Sequence, residues 1–326
     1  MTVPDESIIC TWTVNLALAT DAVNRGTVLL TDHRVDGVDI GPDTTTLHTT
    51  RGDVVGRWIV NAAGLGADLI DALFGYQRFT VTPRRGELIV YDKLARTLVN
   101  KKIVLPVPTS RGKGVLVSPT IYGNVMLGPT SEDLHDRTAT GTTEAGFDFL
   151  LSKGRALMPR LLDEEVTATY SGLRAAIDHG DYLIQADHAQ HYLLVGGIRS
   201  TGLTAGMAVA EYVRDQLAEA GLVVTPKAAL PDPPPRMPNL GEAYPPRPYQ
   251  LPEAIETDPA YGRIVCFCER VTEGEIRDAC HSVIPPTAVE GLRRRTRVMN
   301  GRCQAFFCGA EVQALFERET CQESRR

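Results

Sequence analysis

Six of the seven cysteines fall after residue 265, and four of them form two close pairs, Cys266-Phe-Cys268 and Cys303-Gln-Ala-Phe-Phe-Cys308, separated by 34 residues. Seven cysteines in 326 residues are too few for a disulfide scaffold, so this crowding predicts a separate metal-binding unit at the C-terminal end. Two thiolate pairs can hold two irons bridged by sulfide, each iron taking two sulfurs. Zinc is the plainer alternative, but it prefers two to four residues between paired cysteines, and this combination of spacings fits it poorly. A helix over Gly309 to Phe316 would place Cys308 at its start, where free N–H groups and the helix dipole favour a negatively charged cluster. Thr272-Glu-Gly-Glu275 is a capping-box pattern that starts another helix, and Leu292 to Arg297 reads as a solvated helix face or a cationic rim. Cys280 and Cys321 lie outside the pattern, as a core thiol and a tail thiol.

Prolines between Pro226 and Pro259 remove backbone donors repeatedly and predict an extended tether. The expected organisation is therefore a mixed region over 1–222, a linker over 223–260, the cysteine unit over 261–318 and a tail over 319–326. With 43% hydrophobic and 23% charged residues the chain can bury a core. Its 34 basic and 40 acidic residues leave a net charge of -6, which argues against nucleic acid as a partner. The apolar stretch Ile8 to Thr20 is short, carries Asn15 and follows Asp5 and Glu6, so no leader or membrane span is read and a cytoplasmic location is expected.

In the first region, apolar spacing predicts a helix over Trp12 to Val23, then strands at Thr27 to Thr31, Thr45 to Thr50 and Val54 to Val60. A helix from Ala67 to Phe74 should follow. Short strands at Gly86 to Tyr91, Val115 to Ser118 and Asn124 to Gly128 suggest a mostly antiparallel sheet. Thr143 to Met158 reads as a helix, and Val166 to Leu173 and Tyr182 to Gln185 as strands. Tyr192 to Ala205 reads as a buried strand, a glycine turn and the start of a helix running from about Thr204 to Ala218. Such a helix start offers free N–H groups, and Gly196, Gly197 and Gly202 let a flat ligand approach the backbone.

Several of these strings carry a resemblance. VCFCERVTEGEI and LRRRTRVMNGRCQAFFC, within Ile264 to Phe316, resemble the [2Fe-2S]-binding domain of the bacterioferritin-associated ferredoxin type, and most of all the copy appended to large subunits of anaerobic-type, FAD-dependent glycerol-3-phosphate dehydrogenases. GIRSTGLTA and VNAAGLGAD are similar to flavin-contacting segments of the D-amino-acid-oxidase superfamily. The resemblance implies an α/β (α+β) architecture: an incomplete Rossmann-like FAD domain with an antiparallel substrate-side sheet, and a small, mainly helical [2Fe-2S] domain. It implies FAD contacts from Ala63, Gly64, Gly196, Gly197, Ile198, Arg199, Ser200, Thr201, Gly202, Leu203 and Thr204, and cluster ligation by Cys266, Cys268, Cys303 and Cys308. YSGLR, ending at Arg174, is similar to the strand that holds the anionic end of the substrate, and a guanidinium fork suits that task. Glu87, or His179, is a candidate to take the hydroxyl proton, and Arg84 and Arg85 flank the same wall. The implied activity is oxidation of a small anionic hydroxy substrate at the flavin, with electrons leaving through the cluster to a quinone-linked acceptor and peripheral membrane association through a partner.

The chain departs from the family at Ala175, where proline is usual, and at Ile198-Arg199, where the glycine turn often bears a lysine; the PRRGE string is similar to the branch that oxidises hydroxyglutarate. An L-2-hydroxy acid is thus the alternative substrate. The strand-GxGxxG-helix fingerprint that opens such flavoproteins does not occur in the 326 residues. The expectation is a shortened protein, one half of a split enzyme or a fragment, with a partner chain supplying the FAD-binding segment. A non-catalytic iron–sulfur electron-transfer or docking subunit, or an inactive fragment, is the competing reading. Purified alone, the chain is expected to retain FAD weakly or not at all, which the flavin absorbance band of the purified protein measures.

Overall fold

The computed structural model describes residues 7–107, 114–229, 236–241 and 246–323, with side chains described to residue 320. Helix α1 (Thr11–Asn24) starts at Cys10, whose sulfur accepts the Thr13 N–H at 3.4 Å. Strands β1 (Val35–Ile40), β2 (Thr45–Thr49) and β3 (Val54–Gly56) form an antiparallel meander. The single strand expected over Val54 to Val60 is broken at Arg57-Trp58, because β4 (Ile59–Asn61) leaves the meander to join another sheet and lead into α2 (Ala67–Leu73). Thr27 to Thr31 is not a strand. Its β-branched run has no neighbouring strand to supply a ladder, and Val28, Leu29 and Leu30 are exposed.

The central sheet is built on β5 (Thr82–Tyr91). After α3 (Arg96–Val99) come β6 (Leu116–Pro119), β7 (Val125–Gly128), β8 (Glu132–Asp133), α4 (Glu144–Leu157) and β9 (Val166–Ala176). Strands β7 and β8 share one edge of β5, and β9 takes the whole of the other in antiparallel register from Thr82↔Ala176 to Tyr91↔Val166. Side chains alternate along β5, so Pro83, Arg85, Glu87, Ile89 and Tyr91 are buried on the α4 side. Ile89 and Tyr91 pack there with Leu127, Leu150 and Leu161. Arg84, Gly86 and Leu88 face the other way.

A second sheet has the order β10 (Leu183–Asp187), β11 (Tyr192–Gly196), β4, in which β11 and β4 run parallel. Its core joins Ala67 and Phe74 of α2 to Tyr192 and Leu194, with the Phe74 and Tyr192 rings stacked at 4.0 Å. Asp71 is buried here against the Arg78 guanidinium and accepts from the Tyr192 hydroxyl at 3.0 Å. Helix α5 (Gly202–Glu219) begins two residues earlier than expected and has no buried residue; Leu203, Met207 and Tyr212 lie open, as do Trp12 and Leu18 on α1 and Val60 on β4. No helix among the described residues is long and apolar enough to cross a membrane.

The cysteine unit contains the hairpin β12 (Ile264–Cys266) and β13 (Val271–Thr272), then α7 (Glu273–Cys280), α8 (Val289–Thr296) and α9 (Gly309–Glu323). The capping box forms: Thr272 Oγ1 accepts the Glu275 N–H at 3.2 Å and Glu275 Oε2 accepts the Thr272 N–H at 2.9 Å. The expected tail is corrected in part, since α9 runs on through Glu319 and buries it.

Of the expected linker, residues 230–235 and 242–245 lie outside the described residues. Residues 246–261 form short helical turns and α6 (Pro252–Thr257), so this part is not an extended tether. Arg247 is the anchor: it is buried, bonds Glu275 Oε1 through Nη2 at 2.8 Å and donates to the Glu269 carbonyl at 2.7 Å. A charge removed from water stays ionised only with partners placed this way, and removing one strands the other. Arg247→Ala is expected to destabilise the cysteine unit by about 3 kcal/mol, read as a lower urea midpoint by circular dichroism.

Candidate functional site

The four paired cysteines come together. Cys266 ends β12 and is buried beside Cys308, while Cys268, within the turn that follows, pairs with Cys303. The Cys303 sulfur receives N–H groups from Phe307, Ala305 and Phe306, which hold its thiol below the ordinary value. Burial, with Cys266 next to it, pushes Cys308 up to about 12, and burial also raises Cys268. Crowded thiolates therefore repel one another in a dry site, and a cationic centre relieves that cost. Positive φ at Met299, Gln304 and Ala305 curls the 299–308 loop around the sulfurs. Gly301 is needed for the approach, because a Cβ there would fall 2.2 Å from the Cys268 Cβ.

Among the described residues no three His, Cys, Asp or Glu side chains are arranged to hold a single metal ion. The thiols meet as two pairs, which is the donor set of a sulfide-bridged iron pair and not of a lone zinc. Cys280 is buried in the same core, and Cys321 lies beyond the described side chains. Around the ligands, Phe267, Phe306 and Phe307 are 76%, 85% and 79% exposed, a feature the cysteine spacing did not announce.

The residues next to the inner cysteine pair are tied to the first region. Glu269 Oε2, buried, faces Lys93 Nζ at 3.3 Å and Arg297 Nε at 3.4 Å. Arg302 pairs with Asp92 at 3.4 Å and with Glu165. The Arg297 guanidinium lies 4.0 Å above the Tyr122 ring, and the Tyr122 hydroxyl meets the Cys10 sulfur at 2.7 Å. These contacts seat the cysteine unit at the Asp92 end of β5.

The segments expected to touch FAD leave from the same end of neighbouring parallel strands. Ala63 and Gly64 follow β4, and Gly196 to Thr204 follows β11, so both loops lie at the carboxyl edge of the pair, where open α/β sheets place their ligands. Asn61, buried, braces the first loop by accepting the Ala63 N–H at 3.1 Å and donating to the Ala67 carbonyl at 2.8 Å. In the second, Gly197 has φ +69, and an added Cβ would fall 2.6 Å from Ile177 Cδ1. Arg199 also takes positive φ and donates to the His179 carbonyl; Ser200, Leu203 and Thr204 are exposed. The Thr201 hydroxyl is spent on the Ile198 carbonyl at 2.7 Å and on Tyr182 at 2.6 Å, so it does not cap α5. The first-turn N–H groups of α5 thus point outward without a side-chain cap.

Arg174 and Glu87, the two expected catalytic residues, are not brought together. Arg174 shares the open face of the β5–β9 ladder with Arg84 and Gly86; its Nη2 donates to the Thr130 carbonyl at 2.7 Å and lies over Gly86, where a Cβ would be 2.3 Å away. Opposite Gly86 is Gly172, and a Cβ at Gly172 would meet nothing within 4 Å. Gly86 is thus covered by the guanidinium, and the exposed backbone beside it is that of Gly172. Glu87 points to the α4 side, 3% exposed, where Oε1 accepts the N–H and hydroxyl of the helix cap Thr143 at 3.1 and 2.9 Å and Oε2 abuts Gly146. This placement corrects its expected role as base: the carboxylate serves the N-terminus of α4. Its backbone still matters, since the Thr130 hydroxyl and N–H bond the Glu87 N–H and carbonyl at 2.9 and 3.1 Å and so fix the carbonyl that Arg174 uses. Arg85 is on the Glu87 side, paired with Glu132 at 2.6 Å. His179 is exposed and folded into a local turn with Asp181.

A family profile described as FAD dependent oxidoreductase matches residues 1–216. The chain belongs to that family. A second profile, the BFD-like [2Fe-2S] binding domain, matches residues 264–318. A relative from Caloramator mitchellensis named glycerol 3-phosphate dehydrogenase is 33% identical over 96% of this chain and 64% of its own length. One subunit of the anaerobic glycerol-3-phosphate dehydrogenase of Escherichia coli K12 is 26% identical over 91% of this chain and 60% of its own. Among solved structures, the L-alpha-glycerophosphate oxidase of Mycoplasma pneumoniae with FAD bound superposes with a TM-score of 0.55 at 28% identity, covering 62% of this chain and 54% of that one. The chain thus spans less than two thirds of the length of these relatives.

Sequence reasoning missed Gly172, which strand register reveals, Thr130, which its hydrogen bonds to Glu87 and Arg174 reveal, and Asp133, which sits on a strand of two residues. After anaerobic purification, Cys303→Ser is expected to lose most iron and acid-labile sulfide per chain, whereas Cys280→Ala, in the same core but outside the pairs, keeps them; colorimetric iron and sulfide assays read both.

Proposed function

We propose that this chain supplies the substrate wall and the electron-exit domain of an FAD-dependent dehydrogenase that oxidises glycerol 3-phosphate or a closely related small anionic hydroxy compound. The observation that carries this reading is Arg174: a half-buried guanidinium on an open sheet face, one donor spent on a backbone carbonyl, lying over Gly86 and beside the exposed backbone of Gly172. FAD, when bound, would supply two-electron oxidation of the hydroxyl-bearing carbon, and a [2Fe-2S] cluster would pass electrons on singly.

In that reading Arg174 receives the anionic end of the substrate and fixes its orientation. The Ala63–Gly64 loop and the Gly196–Thr204 loop hold the cofactor, with the uncapped start of α5 facing its electron-rich edge. Cys266, Cys268, Cys303 and Cys308 hold the cluster, and the ion pairs of Glu269 and Arg302 fix it against β5. The exposed Phe267, Phe306 and Phe307 suit contact with a quinone-linked acceptor protein. Open apolar side chains on α1, α5 and β4 suit contact with a dinucleotide-binding unit, in front of this segment or on a second chain.

The test is co-expression with a chain that carries a strand-GxGxxG-helix segment, followed by dye reduction with glycerol 3-phosphate and with L-2-hydroxyglutarate. Turnover with glycerol 3-phosphate is expected, and Arg174→Gln should lower kcat/KM by about 100-fold. No turnover with either substrate, in a complex that holds flavin and iron, rejects the reading.

A further inference from the structure

Three charges stand in one row across three strands. Asp133 on β8 pairs in register with Arg84 on β5, and Arg84 with Arg174 on β9. Partners in register point to the same face, so all three side chains share the open face that carries Gly86. Asp133 holds Arg84 as a fork, at 2.5 Å to Nε and 3.0 Å to Nη2. Arg174 has no carboxylate of its own in the row, and its hydrogen bond goes to the Thr130 carbonyl. Burial and then Arg84 work against the Arg174 charge, with Asp133 offsetting part of this, so the three groups respond to one another. The row carries one net positive charge.

We propose that Arg84 is a specificity-determining residue held in check by Asp133: a carboxylate ligand stays with Arg174 alone, and only the doubly charged head of a phosphate monoester draws Arg84 away from Asp133. The proposal rests on the reading of Arg174 as the anion-binding residue. A carboxylate has two oxygens and one charge, which a single guanidinium fork satisfies. A phosphate head has three acceptor oxygens and close to two charges at neutral pH, so it gains from a second guanidinium beside the first. The Asp133–Arg84 pair is half exposed, with side chains 52% and 39% accessible, and is weak enough for such a ligand to displace. A buried pair would be locked; this one can exchange partners.

Calorimetric titration of the full chain with inorganic phosphate and with acetate, at fixed ionic strength, tests this. Asp133→Asn should tighten phosphate about fivefold and acetate by less than about twofold, and Asp133→Glu should restore wild-type behaviour. Arg84→Gln should erase the preference for phosphate while leaving acetate binding, and Arg174→Gln should abolish both. Equal changes for the two anions in Asp133→Asn, or no phosphate binding by the unaltered chain, overturn the proposal. Undiminished binding of both anions by Arg174→Gln overturns instead the reading of Arg174 on which it rests.

Discussion

The antiparallel ladder between β5 and β9 is the constraint on which the rest of the molecule depends. It continues from Thr82↔Ala176 to Tyr91↔Val166 with one irregularity, between Val90 and Tyr91. One face closes on α4 through Ile89 and Tyr91; the other carries Arg84, Gly86, Gly172 and Arg174. Because adjacent residues point to opposite faces, core and open face are made by the same ten residues of β5. Glu87 belongs to the first face and Gly86 to the second, so the Glu87 carboxylate and the Arg174 guanidinium, near one another along the ladder, are separated by the thickness of the sheet.

Buried charge is handled differently in the two regions. In the cysteine unit, Arg247 and Glu275 neutralise one another inside the fold, and with the bond from Arg247 to the Glu269 carbonyl they join a segment rich in proline to the helices beyond it. On the open face of the ladder, Arg174 is left with a carbonyl as its partner. A polar group that a protein half-buries and does not neutralise is costly unless something else completes it, which separates a structural ion pair from a binding residue.

Features set by nearby residues were legible in the sequence. The capping box at Thr272 and Glu275, the α4 boundaries from its cap Thr143 to Met158, and the α1 span all follow from local hydrogen bonds and apolar spacing. That the four cysteines gather was legible from their spacing; which sulfur lies beside which was not, because Cys266 meets Cys308 and Cys268 meets Cys303 across the two sequence pairs. The orientation of Glu87 was not, since Leu88 and Val90 are as apolar as Ile89 and Tyr91, and both faces of β5 read alike. Asp133 stands on a strand too short to show alternation, and Arg247 looks like an isolated charge among prolines until Glu275 is seen beside it. Thr27 to Thr31 has strand propensity, but a strand exists only by pairing, and that information lies elsewhere in the chain.

The cysteine unit is seated at Asp92 and Lys93, immediately past the end of β5, while Gly86, beneath the Arg174 guanidinium, lies on the same strand. Six residues of extended chain, roughly 20 Å, separate them. The strand is therefore a ruler, whose graduation is the residue count and whose stiffness comes from its partner. An insertion of one residue between the two marks would lengthen the gap by about 3 Å and rotate one end by half a turn against the other, so evolution can tune this separation only in steps of two.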